Sequence, residues 1–130
     1  EGVYSTPKGY ENYLEKLLRA HEKSNVLGHI ESRHRLIKGD VEKTVPQYFE
    51  NFPETIVSLA YFDMGNYNPT KTALEAIMPH LLPGSVILFD QLTWEDAPGE
   101  AIAFKEVLKD VEFEIEKSTF YPSKAIVTIK

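Results

Sequence analysis

The chain has 130 residues, 42% hydrophobic and 26% charged, which allows one domain with a modest core. A net charge of −6 argues against general nucleic-acid binding, and no apolar run approaches the ~20 residues of a membrane helix. With no cysteine, disulfides and thiolate chemistry are excluded and the cytoplasm is the default compartment.

The chain begins at Glu1 rather than Met, and EGVYSTPKG shows no periodicity, as expected of a loop at the start of a truncated or incomplete chain. From Tyr10 to about Lys23 the spacing predicts a helix, with Tyr10, Tyr13, Leu14, Leu17, Leu18 and His21 on one face. Residues 25–32, containing Gly28, read as a connector, and His34–Lys38 reads as a short strand ended by Gly39-Asp40. A short helix is predicted from Thr44, where T-V-P-Q forms a capping box with Gln47.

The stretch Thr55 to Leu92 reads as strand, loop, helix, turn, strand. Thr55–Phe62 and Ser85–Phe89 are apolar runs without alternation, as in parallel strands covered on both faces. Asn68-Pro69 supplies an N-cap and a first-turn proline; Ala73, Leu74, Ile77, Met78 and Leu81 form the buried stripe. Pro79 weakens the last turn and Pro83-Gly84 stops it. The whole is a right-handed βαβ unit. Beyond it come the loop QLTWEDAPG, a helix near Glu100–Lys109, and two strands, 112–117 and 124–129, joined as an antiparallel hairpin. The sum is a single α/β domain over 1–130, with a mostly parallel sheet closed by an antiparallel pair.

Both central strands end in an aspartate, Asp63 and Asp90. Ligands of open α/β sheets bind beyond the carboxyl ends of the strands, so neighbouring strands would bring both carboxylates to one site. Such a pair suits a hard divalent cation, with Gln91 as a neutral oxygen ligand; a lone carboxylate serves equally as a general base. Either aspartate could instead be a turn former or helix N-cap, and so could Asp40. ILFDQ looks like the Mg²⁺-binding strand of a P-loop ATPase, but no G-x-x-x-x-G-K-[ST] occurs. His21, His29, His34 and His80 lack ligand spacing and are assigned to no metal. Trp94, beyond Asp90, either lines a substrate mouth or packs on the next helix.

The segments IKGDVEKTVPQYF, FDMGNYNPTKTALE, PGSVILFDQL and APGEAIAF resemble the macrocin O-methyltransferase-like family of class I S-adenosylmethionine (SAM) methyltransferases. The resemblance extends over nearly the whole chain. It implies a Rossmann-like sheet of strand order 3-2-1-4-5-7-6, SAM as cofactor, and methyl transfer to a hydroxyl of a sugar or other polar small molecule. It implies that Asp40 lies near the SAM adenine and that Asp63 acts in metal binding and catalysis. It further implies that Asp90 and the residue after it bind Mg²⁺. Gly65 and Gln91 stand where the family often carries further acids, so Mg²⁺ binding is expected to be weak or absent.

The glycine-rich turn that cradles SAM is not among these residues, so the first two strands of the family's sheet are missing and the chain reads as a C-terminal half, inactive alone. The strand at 55–63 then has an apolar unpaired edge, and self-association into a homo-oligomer or pairing with a missing N-terminal segment is expected. The alternative is a non-catalytic α/β fragment that associates with itself or binds a partner protein.

Overall fold

A computed structural model describes residues 6–27 and 32–130. Gly28 and His29 therefore lie outside the described residues. The chain divides into two compact units, 1–39 and 40–130.

In the first unit, α1 (Tyr10–Ser24) follows Gly9, whose left-handed backbone (φ 82°) turns the chain into the helix. The predicted strand at His34–Lys38 does not form: residues 32–38 carry no regular structure. Among the described residues no strand pairs with this segment, and an isolated strand has no ladder to satisfy its backbone. Its beginning instead wraps the Glu22 carboxylate. Ser32, Arg33 and His34 donate backbone N–H groups to it at 3.2, 2.7 and 2.8 Å. Ser32 has φ 60°, and consecutive N–H groups converging on one anion make a nest. The His34 ring bridges Glu22 through Nδ1 (2.9 Å) and Glu15 through Nε2 (3.1 Å). His34 is thus a structural strap.

The second unit is an α/β layer. It contains α2 (Val41–Asn51), β1 (Val57–Phe62), α3 (Tyr67–Ile77), a 3₁₀ turn (Met78–His80) and β2 (Leu81–Phe89). It continues with α4 (Gly99–Val107), β3 (Phe113–Lys117) and β4 (Ala125–Ile129). The sheet order is β1-β2-β4-β3, with β1 and β2 parallel and both β4 contacts antiparallel. The hairpin therefore inserts β4 next to β2 and leaves β3 at one edge and β1 at the other. Among the described residues no helix is long and apolar enough to cross a membrane.

Two helix starts differ from expectation. Asp40, not Thr44, caps α2: its Oδ1 accepts from the Glu42 N–H at 3.1 Å, and Thr44 instead donates its hydroxyl back to the Asp40 carbonyl. α3 starts at Tyr67, with Asn66 at the cap, so Pro69 falls in the first turn, where a missing N–H costs no helical hydrogen bond. Pro79 does tighten the helix end into a 3₁₀ turn. β2 then opens before Pro83-Gly84 and is interrupted there: Val57 pairs with Leu81 but Leu59 pairs with Val86. Buried Ser85 bridges the gap, accepting from Leu82 N–H and donating to the Val57 carbonyl at 2.7 Å.

The core lies between one sheet face and α2, α3 and α4. Thr70, Ala73, Leu74 and Ile77 of α3 are buried at i, i+3, i+4, i+7. Phe62 stacks on Phe89 (centroids 5.2 Å apart), and Phe104 of α4 meets Phe89 and Phe113 edge-on. The stripe of α4 includes fully buried Ala103, which the predicted set of Ala101, Phe104, Val107 and Leu108 omits. Within 40–130 helices cover one face only. Leu59 and Tyr61 of β1 point to the other and are 61% and 53% exposed, so the absence of alternation in the sequence does not mark coverage on both sides here.

Two outcomes follow from this packing. Leu74 is 0% exposed, so Leu74→Ala should destabilise the 40–130 unit by about 2–5 kcal/mol in denaturant unfolding. In the 1–39 unit, hydrogen bonds from Glu22 and then Glu15 raise the His34 pKa above its ordinary 6.5, while His34 lowers that of Glu22 to about 2. The stabilisation from His34 is complete below pH 6.5 and is lost as pH rises through its folded value; that from Glu22 is complete above 4.5 and fades toward 2. An NMR titration should give a His34 midpoint above 6.5 that falls in Glu22→Gln; an unshifted midpoint would reject the strap.

Candidate active site

Parallel register brings Phe62 opposite Phe89, and the Asp90 N–H donates to the Phe62 carbonyl at 2.9 Å. Asp63 and Asp90 therefore leave the sheet side by side at its carboxyl edge, on adjacent strands. Their environments differ. Asp63 is exposed, and its carboxylate makes no hydrogen bond or ion pair with the described residues. Asp90 is mostly buried and committed: the Tyr61 hydroxyl donates to Oδ1 at 2.5 Å, and Lys124 Nζ lies 2.5 Å from the same oxygen. Lys124, and secondarily Tyr61, hold the Asp90 carboxyl below the usual carboxylate range.

The loops that follow the two strands are tied together by a residue from elsewhere. Glu100, in the first turn of α4, is 0% exposed. Its Oε1 accepts the N–H groups of Met64 and Gly65 at 3.2 and 3.1 Å, and its Oε2 accepts that of Gln91 at 2.9 Å. A carboxylate at a helix start also suits the positive end of the helix. Beside it, a Cβ on Gly99 would stand 2.5 Å from the Gly65 carbonyl oxygen and the Tyr67 nitrogen, so only glycine lets α4 sit this close to the β1 exit loop. Gln91 lies over Gly65 (φ +66°): its Oε1 is 2.5 Å from where a Cβ on residue 65 would be.

Asp40 is exposed at the start of α2 and serves as its N-cap, with one carboxylate oxygen engaged. Among the described residues no three His, Asp or Glu side chains gather in a way that could hold a metal ion. Trp94 is 42% exposed. With Asp96, Lys117 and Tyr121 it lines an open cleft of about 490 Å³ between the loop after β2 and the β3–β4 turn. Ser123 on that turn donates to the Asp90 carbonyl at 2.9 Å, so the cleft adjoins the carboxylate edge.

Three participants have no part in the sequence reading of the site: Glu100, Tyr61 and Lys124. The signal for Glu100 is an acid three residues before Ala103, hence on the buried side of α4. Lys124 comes opposite Asp90 because β4 pairs with β2 (Ala125 with Phe89), a long-range pairing that hairpin patterns do not specify, although the family's strand order 3-2-1-4-5-7-6 implies it.

A half-open sheet with carboxylates at the ends of its parallel strands, closed by an antiparallel hairpin, has the architecture of the Rossmann-like methyltransferases. Residues 6–92 match the family described as "Methyltransferase domain". Two structures of CalS11 are also similar. One is the apo structure of that TDP-rhamnose 3'-O-methyltransferase of calicheamicin biosynthesis, at 41% identity, TM-score 0.82, covering 96% of this chain and 53% of the other. The other, described as calicheamicin methyltransferase, gives 41% identity, TM-score 0.87, and coverage of 98% and 50%. The chain thus spans about half the length of the CalS11 chains it matches. A comparison with curated proteins finds no match. The chain belongs to the class I SAM-dependent methyltransferases, of the macrocin O-methyltransferase type.

The Glu100 clasp leads to a direct test. Glu100→Gln replaces one acceptor oxygen by an NH₂ group facing an N–H donor. It should cost on the order of 1–3 kcal/mol of stability, measured by chemical denaturation. Glu100→Gln should also speed amide exchange at Met64, Gly65 and Gln91 together; exchange rising at one of them alone would show that the two loops are held separately.

Proposed function

We propose that this chain is the acceptor-side half of a SAM-dependent O-methyltransferase acting on a hydroxyl of a sugar or another polar small molecule. One observation carries the reading: two carboxylates leave adjacent parallel strands at one edge, Asp90 held by Lys124 and Tyr61, Asp63 exposed and uncommitted. The similarity to a sugar O-methyltransferase supports the substrate class.

SAM, when bound, would supply an electrophilic methyl group, its methyl carbon–sulfur bond breaking so that S-adenosylhomocysteine leaves. Asp63 is the general base: as the acceptor oxygen forms its new bond to carbon, the hydroxyl proton passes to an Asp63 carboxylate oxygen. The fixed strand end sets the Asp63 main chain, so that few torsions remain to be ordered for the near-attack geometry. Asp40 has one carboxylate oxygen left over from capping α2, and that oxygen suits the adenine amino group. The Trp94–Tyr121 cleft supplies aromatic walls beside the carboxylate edge for the acceptor. Asp63, Asp90 and Gln91 form a poor set for Mg²⁺: Asp90 Oδ1 is already shared by two donors and Gln91 brings no charge. No step here runs through a metal. The cysteine-free sequence suits the cytoplasm.

A second reading rests on β1, whose outer edge pairs with no strand among the described residues and whose neighbourhood exposes Ile56 (63%) and Leu59 (61%). The 130 residues by themselves would then associate across this edge, as a homo-oligomer or onto a further strand. Sedimentation of these residues alone distinguishes the cases; a stable monomer would reject edge association.

The enzymatic reading is tested on the full-length protein with SAM and a panel of free and nucleotide-linked sugars, followed by mass spectrometry of the methylated product. Asp63→Asn should lower the rate by roughly 10²–10⁴-fold with SAM affinity unchanged. Activity retained in Asp63→Asn would remove the base assignment.

A further inference from the structure

Two carboxylates at the ends of neighbouring parallel strands attract a cation, and this structure contains one. Lys124 precedes β4 and, through the pairing of Ala125 with Phe89, comes to the end of β2. Its Nζ lies 2.5 Å from Asp90 Oδ1 and 3.0 Å from the Tyr61 hydroxyl oxygen. It also sits over two rings, 5.4 Å from the Tyr61 centroid and 5.3 Å from that of Tyr121. Carboxylate, phenol and aromatic faces together surround a side chain that is one-third exposed. The Tyr61 hydroxyl donates to the same Asp90 oxygen, so one of the two oxygens a metal could use already has two hydrogen-bond donors.

The neighbouring positions point the same way. Gly65 carries no side chain, and the volume where one would begin holds the neutral Gln91 amide. These positions are coupled: a side chain at 65 requires Gln91 to move, on a backbone whose φ of +66° already favours glycine. Positions 65 and 91 thus add no negative charge beside Asp63 and Asp90, and Lys124 balances the second of these.

We propose that the Lys124 ammonium is the resident cation of this site, holding Asp90 and Tyr61 in place of a divalent ion. Lys124 is a positioning residue. The inference stands on these contacts and does not need the methyl-transfer reading, so its test reads metal binding rather than activity.

The probe is Mn²⁺, followed by electron paramagnetic resonance on the full-length protein. The unmodified protein should show no saturable binding below about 1 mM. Lys124→Met frees Asp90 and should tighten Mn²⁺ binding by at least roughly tenfold, given the size of a charge–charge term at this separation. Lys124→Arg keeps the cation and should show no gain, and Asp90→Asn added to Lys124→Met should abolish it. Micromolar Mn²⁺ binding by the unmodified protein that weakens in Asp90→Asn would overturn the proposal, whether or not any Lys124 variant folds. A folded Lys124→Met that binds Mn²⁺ no better than the parent would overturn it equally.

Discussion

A buried carboxylate that fastens two loops is the contact on which this site depends. Strands fix their own residues through the ladder, but the ladder ends at Phe62 and Phe89, and everything chemical lies one step beyond. Backbone N–H groups in those exits would be unsatisfied where buried, at a cost comparable to a lost hydrogen bond each. Glu100 accepts three of them at once and does so from the first turn of a helix anchored in the core through Ala103 and Phe104. The rigidity of α4 is thereby lent to the edge of the sheet.

The aromatic packing behind the site serves the same end. Phe62 and Phe89, the last residues of β1 and β2, stack on each other, and Phe104 closes over Phe89 from α4. Side chains alternate across a strand, so burying Phe62 and Phe89 fixes which way their neighbours face. Tyr61 is thereby turned to the opposite face, where its hydroxyl reaches Asp90. The membership of the Asp90 cluster is set by the phase of the core.

What the sequence made legible was mostly local. The βαβ unit, the final hairpin and the shared edge of Asp63 and Asp90 follow from periodicity and turn residues, as does the stripe Ala73-Leu74-Ile77, whose expected continuation instead falls in the 3₁₀ turn at Met78 and in β2 at Leu81. The strand expected at His34–Lys38 failed because strand propensity needs a ladder partner, whereas Glu22 offered the start of this segment a different set of acceptors. The capping box at Thr44 failed because Asp40 caps four residues earlier, and both options satisfy the same local rule. Lys124 and Glu100 escape local patterns because Lys124 meets Asp90 and Tyr61, 34 and 63 residues away, and Glu100 meets Met64, 36 residues away, and only folding brings them together.

The backbone on either side of Asp63 has a further consequence. Phe62 before it is buried and Met64 after it is fastened to Glu100, yet the carboxylate itself is unattached. The main chain is thus a fixed pivot, and only the χ1 and χ2 torsions of a short side chain remain to be ordered when a ligand arrives. Freezing so few rotors costs little entropy. A longer glutamate at the same pivot would place its oxygens farther out and bring a third torsion, so reach and stiffness at this position are set by one methylene.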